Sequence, residues 1–385
     1  MRESGHPIYL DYNATTPLLP EVVEAMLPYL REHFGNPSSG HVYGQRARDA
    51  VENARAQVAG LLGAAAAEIV FTSGGTESNN LAILGAARSV RPRKHVITTR
   101  IEHPAAAEPC RLLERRGWEV TWLAVDATGR VADDQVMGVL RDETALVTVM
   151  HANNETGVIQ PVAEVARAVR AAGGLTHTDA AQSAGKIPVR VDDLGVDLLS
   201  IAGHKLYAPK GVGALYVREG TSLEPLQRGA GHERGLRPGT ENVASIVGLG
   251  VACEIAGRTL AEEADRVRRL CRLLWEGLAA EIPGLVLNGH PRDRLPNTLN
   301  VRLPGVLSTE VLHLAPEIAA STGSACHTGS EHPSAVLAAM GIEREAALGS
   351  VRLSLGRQTT EQDIRAAAEA LSGAWKRAGA ADPDS

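Results

Sequence analysis

Between residues 68 and 217 the hydrophobic period of the chain switches repeatedly. Short, largely apolar runs, EIVFT (68–72), HVITT (95–99), EVTWL (119–123), ALVTVM (145–150), LTHTDA (175–180), VDLLSI (196–201) and GALYV (213–217), read as buried strands. Between them lie longer amphipathic stretches, among them TESNNLAILGAARSV (76–90), PAAAEPCRLLERRG (104–117) and PVAEVARAVRAAG (161–173). Strands alternating with helices predict an α/β fold around a mostly parallel, seven-stranded sheet. Strands apolar along their length predict that helices cover both faces.

After about residue 240 the pattern changes. A long helical stretch (241–281) leads to sparser strands, TLNVRL (298–303) and SVRLSL (350–355), and a closing helix whose start carries a Thr360–Asp363 capping arrangement. This predicts a smaller α+β C-terminal domain joined through the long helix. A chain of 385 residues suits two domains. The expected division is a large cofactor-binding domain over 15–255 and a small one over 256–385 that also takes in 1–14.

The charge balance excludes some partners. The net charge is −6 with no basic stripe, so nucleic acid is not expected. No apolar run approaches roughly 18 residues, and the first residues lack a signal-like apolar core, so neither a membrane span nor secretion is expected. Cys110, Cys253, Cys271 and Cys326 lie far apart with no CxxC pair. That predicts a reducing, cytoplasmic setting and neither a disulfide framework nor a self-contained metal site.

Three stretches at strand ends carry chemistry. In SIAGHKLYAPKGVGALYV (200–217) a strand delivers His204 and Lys205. A lysine beside a buried strand is costly unless its amine is paired or used, and Schiff-base chemistry uses such an amine; a surface lysine in a turn is the plainer alternative. In FTSGGTESNN (71–80) two glycines precede a helix beginning near Thr76. Its backbone N–H groups could hold a phosphate, or the stretch could simply be a capped helix start. In THTDAAQSAGK (176–186) Asp179 ends a strand, with Gln182 three residues on. The carboxylate could pair with a pyridinium nitrogen or cap the following turn. Phosphate loop, aspartate and lysine follow one another on successive strand ends, where such sheets bind ligands. Together they point to pyridoxal phosphate.

The chain resembles the cysteine desulfurases of the class-V aminotransferase group, fold type I pyridoxal-phosphate enzymes. The resemblance rests on YLDYNATTP, FGNPSSGHVYG, FTSGGTESNN, IEHPA, MHANNETGVIQP, THTDAAQSAGK, AGHKLYAPKG, GHERGLRPGTENV, STGSACHTGS and VRLSLGR, in that order. It implies that Lys205 forms the Schiff base and that His103 stacks on the cofactor ring and moves protons. Asp179 would pair with the ring nitrogen and Gln182 with the ring hydroxyl, while Gly75, Thr76, Gly203 and His204 hold the phosphate end. Asn154 would touch cofactor and substrate, and Arg352 the substrate carboxylate. Thr240 would reach the neighbouring subunit's phosphate, implying a homodimer with shared active sites. At Ala202 many relatives have Ser, so one hydroxyl contact is missing. That residue, with Cys326–His327, is also similar to what selenocysteine lyases show.

The resemblance assigns L-cysteine as substrate, alanine as product, and Cys326 as the thiolate that attacks the substrate sulfur and carries it as a persulfide. A sulfur-acceptor protein such as an iron–sulfur scaffold would receive it, so residues 321–332 are expected to be mobile. Three rival readings remain: a selenocysteine lyase using the same cofactor chemistry, a plain aminotransferase with no use for Cys326, and a cysteine-based metal or iron–sulfur carrier without that chemistry. His327 could tune Cys326, although adjacent residues on an extended chain point apart. The other three cysteines fit apolar helical patterns, and RVRRLCR (266–272) reads as a solvated helix face.

Overall fold

The computed structural model describes residues 6–90, 92–322 and 333–380. Its central sheet holds seven strands: β2 (Ile69–Thr72), β3 (His95–Thr99), β4 (Glu119–Leu123), β5 (Thr144–Thr148), β6 (Leu175–Asp179), β7 (Leu198–Ala202) and β8 (Gly213–Val217). Their order is β2-β8-β7-β6-β5-β3-β4. All pairs from β7 to β4 are parallel, and β8 runs antiparallel to both of its neighbours. The carboxyl ends of β3, β5, β6 and β7 therefore open onto one edge.

Residues of period two go to opposite faces. Ile69, Phe71, Leu199, Ile201, Ala214 and Tyr216 pack with the helix Val42–Leu62 and the start of Val243–Glu281. Val70, Leu198, Leu215 and Val217 pack with the helices Gly75–Ser89 and Pro104–Arg115. Both faces are thus covered, which is why these strands carry no polar alternation. The exception is β4 at the sheet edge, where Glu119 is exposed and the next three residues are half-buried.

A second apolar cluster belongs to the C-terminal part. It gathers the end of the long helix, β10 (Thr298–Arg302), β13 (Ser350–Ser354) and the last helix, Glu361–Ala380. These two strands pair antiparallel, flanked by β9 (Val286–Leu287) and β12 (Ser321–Thr322). The chain's beginning joins this cluster, because β1 (Ile8–Tyr9) pairs in parallel with β11 (Ile318–Ala319). Thr360 and Asp363 do cap the last helix reciprocally.

The 39-residue helix Val243–Glu281 is apolar enough by mean hydropathy to cross a membrane, although no uninterrupted apolar run marks it in the sequence. Its packing explains the composition. Leu249, Ala252, Cys253 and Ala256 enter the first cluster, and Leu270, Cys271, Leu274 and Leu278 enter the second. Gly250 lets it approach the helix Val42–Leu62 so closely that a Cβ there would lie 2.6 Å from the Cα of Ala54. Cys110, Cys253 and Cys271 are buried free thiols, and burial pushes each up to about 12. In the run 266–272 Arg268, Arg269 and Arg272 are exposed, while Arg266 is half-buried and bonds Glu263 and the carbonyls of Gly356 and Thr359.

Candidate active site

A cavity of about 450 Å³ opens at the carboxyl edge of the central sheet, and most of the residues singled out in the sequence line it. Lys205 enters from the 3₁₀ turn Gly203–Lys205 that follows β7. Its amine donates to the carbonyls of Asn13 (2.5 Å) and Ala14 (2.7 Å). Burial, then the charge of Arg352, lowers its proton affinity to about 8 against the opposing pull of Asp179 and Asp11. At pH 7 about a tenth of the amine is then an unprotonated nucleophile, far more than for a free lysine.

Asp179 ends β6 and is buried. Its two oxygens have different partners. One oxygen accepts from the backbone N–H of Ala181 (2.9 Å), as a capping residue would; the other accepts from the side-chain amide of Asn79 (2.6 Å). Asn79 lies one turn into the helix Gly75–Ser89, whose first residues, Gly75 and Thr76, face the cavity with the positive end of the helix. The start of β8 passes close to this strand-to-helix turn: a Cβ on Gly213 would lie 2.7 Å from the Cα of Gly74.

His103 caps the helix Pro104–Arg115, its Nδ1 accepting from Ala105 N (3.1 Å). In a neutral ring that leaves Nε2 as the N–H donor. Burial lowers its proton affinity, and the charge of Lys205 adds to this while that of Asp179 opposes it. His204 pairs with the Thr15 hydroxyl, and burial brings it down to about 4. Ala202 lines the wall, 3.3 Å from the position a Cβ on Gly75 would take, so an apolar contact stands where a hydroxyl was expected in relatives.

The opposite wall comes from remote parts of the chain. Arg352 on β13 donates to Asp11 Oδ1 (2.7 Å), Ser321 Oγ (3.0 Å) and the Asn154 carbonyl (3.2 Å). Its Nε is buried and has no partner among the described residues. Asn13 ties the walls together. Its carbonyl receives Lys205 and Gln182, its Oδ1 receives Lys186 and Asn297, and its amide donates to the Asn154 carbonyl and Thr298 Oγ1.

Not every expected residue converges. Gly203 lies behind the wall, where a Cβ would meet Val212 at 2.8 Å. Thr240 is exposed in a separate hollow with Arg55, His232 and Glu241. Cys326 and His327 lie outside the described residues. On either side of them, Ser321 bonds Asp11 and Arg352, and Ser334 donates to Glu155. Asp11, Asn13, Asn79, Glu155 and Lys186 were not assigned from the sequence. Asn79 and Lys186 were visible only as one helical turn beyond Gly75 and Gln182.

An amine next to a strand, a buried carboxylate, a histidine and an arginine around one cavity in this fold define an amine-processing site of the fold type I kind. The chain is a member of the class-V aminotransferase family, whose model matches residues 8–366. Its relatives include cysteine desulfurases. It is 48% identical over 360 residues to the cysteine desulfurase IscS of Dictyoglomus turgidum, covering 93% of this chain and 91% of that protein. Identity to the human cysteine desulfurase is 45% over 362 residues, 93% of this chain and 79% of that protein. Among solved structures, a NifS-like protein superposes with a TM-score of 0.91 at 38% identity, covering 96% of this chain and all of that one. The structure titled SspA in complex with cysteine superposes with a TM-score of 0.81 at 39% identity, covering 90% and 98%.

Proposed function

We propose that the chain is a pyridoxal-phosphate-dependent cysteine desulfurase, converting L-cysteine to L-alanine and carrying the sulfur on Cys326. The observation that supports this most is the convergence of Lys205, Asp179 and Arg352 on one cavity, with Ser321, shortly before the Cys326 segment, bonded to Arg352. The donor set fits pyridoxal phosphate. Lys205 offers an amine of reduced basicity, Asp179 a buried carboxylate for a ring nitrogen, and Gly75 and Thr76 a helix start for a phosphate. When bound, that cofactor withdraws electrons from the substrate Cα.

The chain's own groups do the rest. Arg352 fixes the carboxylate of cysteine through its remaining N–H groups, while Asp11 and Ser321 hold the guanidinium edge. Lys205, once free of the cofactor, moves the proton from Cα. His103, with its low proton affinity, exchanges a proton with substrate atoms on the cavity side. The Cys326 thiolate attacks the substrate sulfur, forming an S–S bond as the Cβ–S bond breaks. A sulfur-acceptor protein such as an iron–sulfur scaffold takes the outer sulfur from the persulfide. The same reading includes a homodimer in which Thr240 serves the neighbouring site, a domain boundary within the long helix, and a reducing, cytoplasmic setting.

The decisive experiment is mass spectrometry after brief exposure to L-cysteine. One added sulfur on the Cys326 peptide with stoichiometric alanine is the expected result. Pyruvate formed from alanine and an oxo acid, with Cys326 unmodified, would overturn it in favour of a plain aminotransferase. Selenium release surviving Cys326→Ala would favour the selenocysteine lyase.

A further inference from the structure

Lys186 takes no part in the reaction described above, yet it sits beside the site. Gly185, in the left-handed region at φ +73°, turns the chain just before it. Its side chain borders a narrow cleft lined by Tyr12, Leu206, Tyr207 and Asn297. Its amine donates to Gln182 Oε1 (3.0 Å) and Asn13 Oδ1 (3.1 Å), and no carboxylate pairs with it among the described residues. Burial, and the charges of Lys205 and Arg352, hold its proton affinity well below that of a free lysine. Enclosing an amine that pairs only with two neutral amides is costly, and a stability role would be served more cheaply by an apolar side chain.

Both acceptors belong to residues that reach the cavity. As the donor to Gln182 Oε1, Lys186 turns the carbonyl oxygen of that amide toward itself. The amide nitrogen then lies on the other side, where one N–H goes to the Asn13 carbonyl (3.0 Å). The second N–H has no partner among the described residues, and Gln182 lines the cavity. We propose that Lys186 is a positioning residue that fixes the amide of Gln182 so that an N–H, not the oxygen, faces a ring oxygen of the bound cofactor, and that secures Asn13 behind it. This rests on the pyridoxal-phosphate reading and deepens it.

An N–H aimed at a ring oxyanion stabilises the deprotonated form of the chromophore. Losing that orientation therefore raises the pH at which the visible band of the loaded protein changes. The test is a spectrophotometric pH titration of pyridoxal-phosphate-loaded wild type, Lys186→Met, Gln182→Ala and the double variant. Lys186→Met should move the midpoint up by about one pH unit, a tenfold change in proton affinity, as loss of a hydrogen bond to a charged atom implies. In the Gln182→Ala background the same change should move it by less than about 0.2. An unchanged midpoint in Lys186→Met overturns the inference. So does an equal shift in both backgrounds, which would mean that Lys186 acts through its charge alone. Lys186→Gln keeps an N–H donor and should restore at least half the shift; if the Met variant does not take up cofactor, the Gln variant in both backgrounds carries the test. A wild-type protein that develops no visible band overturns the cofactor reading itself, whereas a normal wild-type band with an unmoved variant overturns only this inference.

Discussion

The two walls of the cavity are built on different principles. On the sheet side, each group is placed by the element it belongs to. Asp179 ends β6, Lys205 follows β7, His103 caps a helix, and Gly75 and Thr76 begin another. On the other side the elements place only part of the wall, with Ser321 facing Arg352 across β12 and β13. Asp11, Asn13, Asn154, Ser321 and Arg352 are held by hydrogen bonds between residues 141 to 341 positions apart, or 31 in the case of Ser321 and Arg352. The difference teaches that the groups suited to bond chemistry stand on the rigid sheet edge, while those suited to gripping substrate depend on the second cluster staying docked. Asn13 is the bond between the two, since Lys205 and Gln182 meet its carbonyl while Ser354 and Thr298 of the second cluster meet its N–H groups.

That contrast can be broken kinetically. Asp179→Ala removes a buried acceptor from Asn79 and Ala181 on the sheet side. It should lower kcat by about 100-fold to 1000-fold with little change in KM for cysteine, as loss of a placed electrostatic group does. Arg352→Ala on the opposite wall should raise KM by about 100-fold, as expected for truncating a paired, largely enclosed charge, and change kcat far less. Steady-state kinetics on both variants decides the matter. If the Arg352 variant loses kcat as heavily as the Asp179 variant, the division of labour between the walls is wrong.

A weaker effect should follow from cutting the link. Asn13 is 1% exposed, so Asn13→Ala leaves Lys186, Asn297 and the Asn154 carbonyl each short of a buried partner. Stability should fall by about 2–4 kcal/mol, read from urea unfolding. Leu10→Ala, nearby but in the apolar cluster, is the control for a simple packing loss.

How much of this was legible in the sequence follows the same line. The seven strands could be read because both of their faces are apolar, and the site residues of the sheet side because each sits at a strand end. The Thr360–Asp363 cap was legible because it is closed within four residues. The helix Val42–Leu62 was not, because four of its nine buried residues are alanine (Ala47, Ala50, Ala54, Ala59) and Gly44 and Arg55 interrupt the apolar stripe. The pairing of Asp11 with Arg352, and the several partners of Asn13, have no local signature. They exist only once β1, β11 and β13 have brought the chain's beginning against its end.

The smallest expected effect concerns a carboxyl just behind the sheet-side wall. Glu102, beside His103, is buried; one oxygen accepts from Met150 N (2.9 Å) and the Thr99 hydroxyl (2.7 Å), and the other has no partner among the described residues. Burial, with a further push from Asp179, raises its proton affinity to about 8, against the pull of those two bonds. An unfolded glutamate releases its proton near 4.5. From 4.5 to about 8 the unfolded chain thus binds fewer protons than the folded one. The contribution of Glu102 to stability must fall as pH rises through this window, by up to ~1.4 kcal/mol per pH unit, and level off above it. Burial acts in the opposite sense on His151 and His177, held down to about 4 and about 3, but these cost stability only as pH drops below 6.5. Urea unfolding between pH 6.8 and 8, taken as wild type against Glu102→Gln, isolates the glutamate. Lys186 and Lys205, whose proton affinities are lowered on folding, act alike on both proteins, so the difference is what counts: the variant should gain on the wild type steadily toward pH 8. Parallel curves would mean that Glu102 is ionised in the folded protein and that the wall behind His103 carries a charge after all.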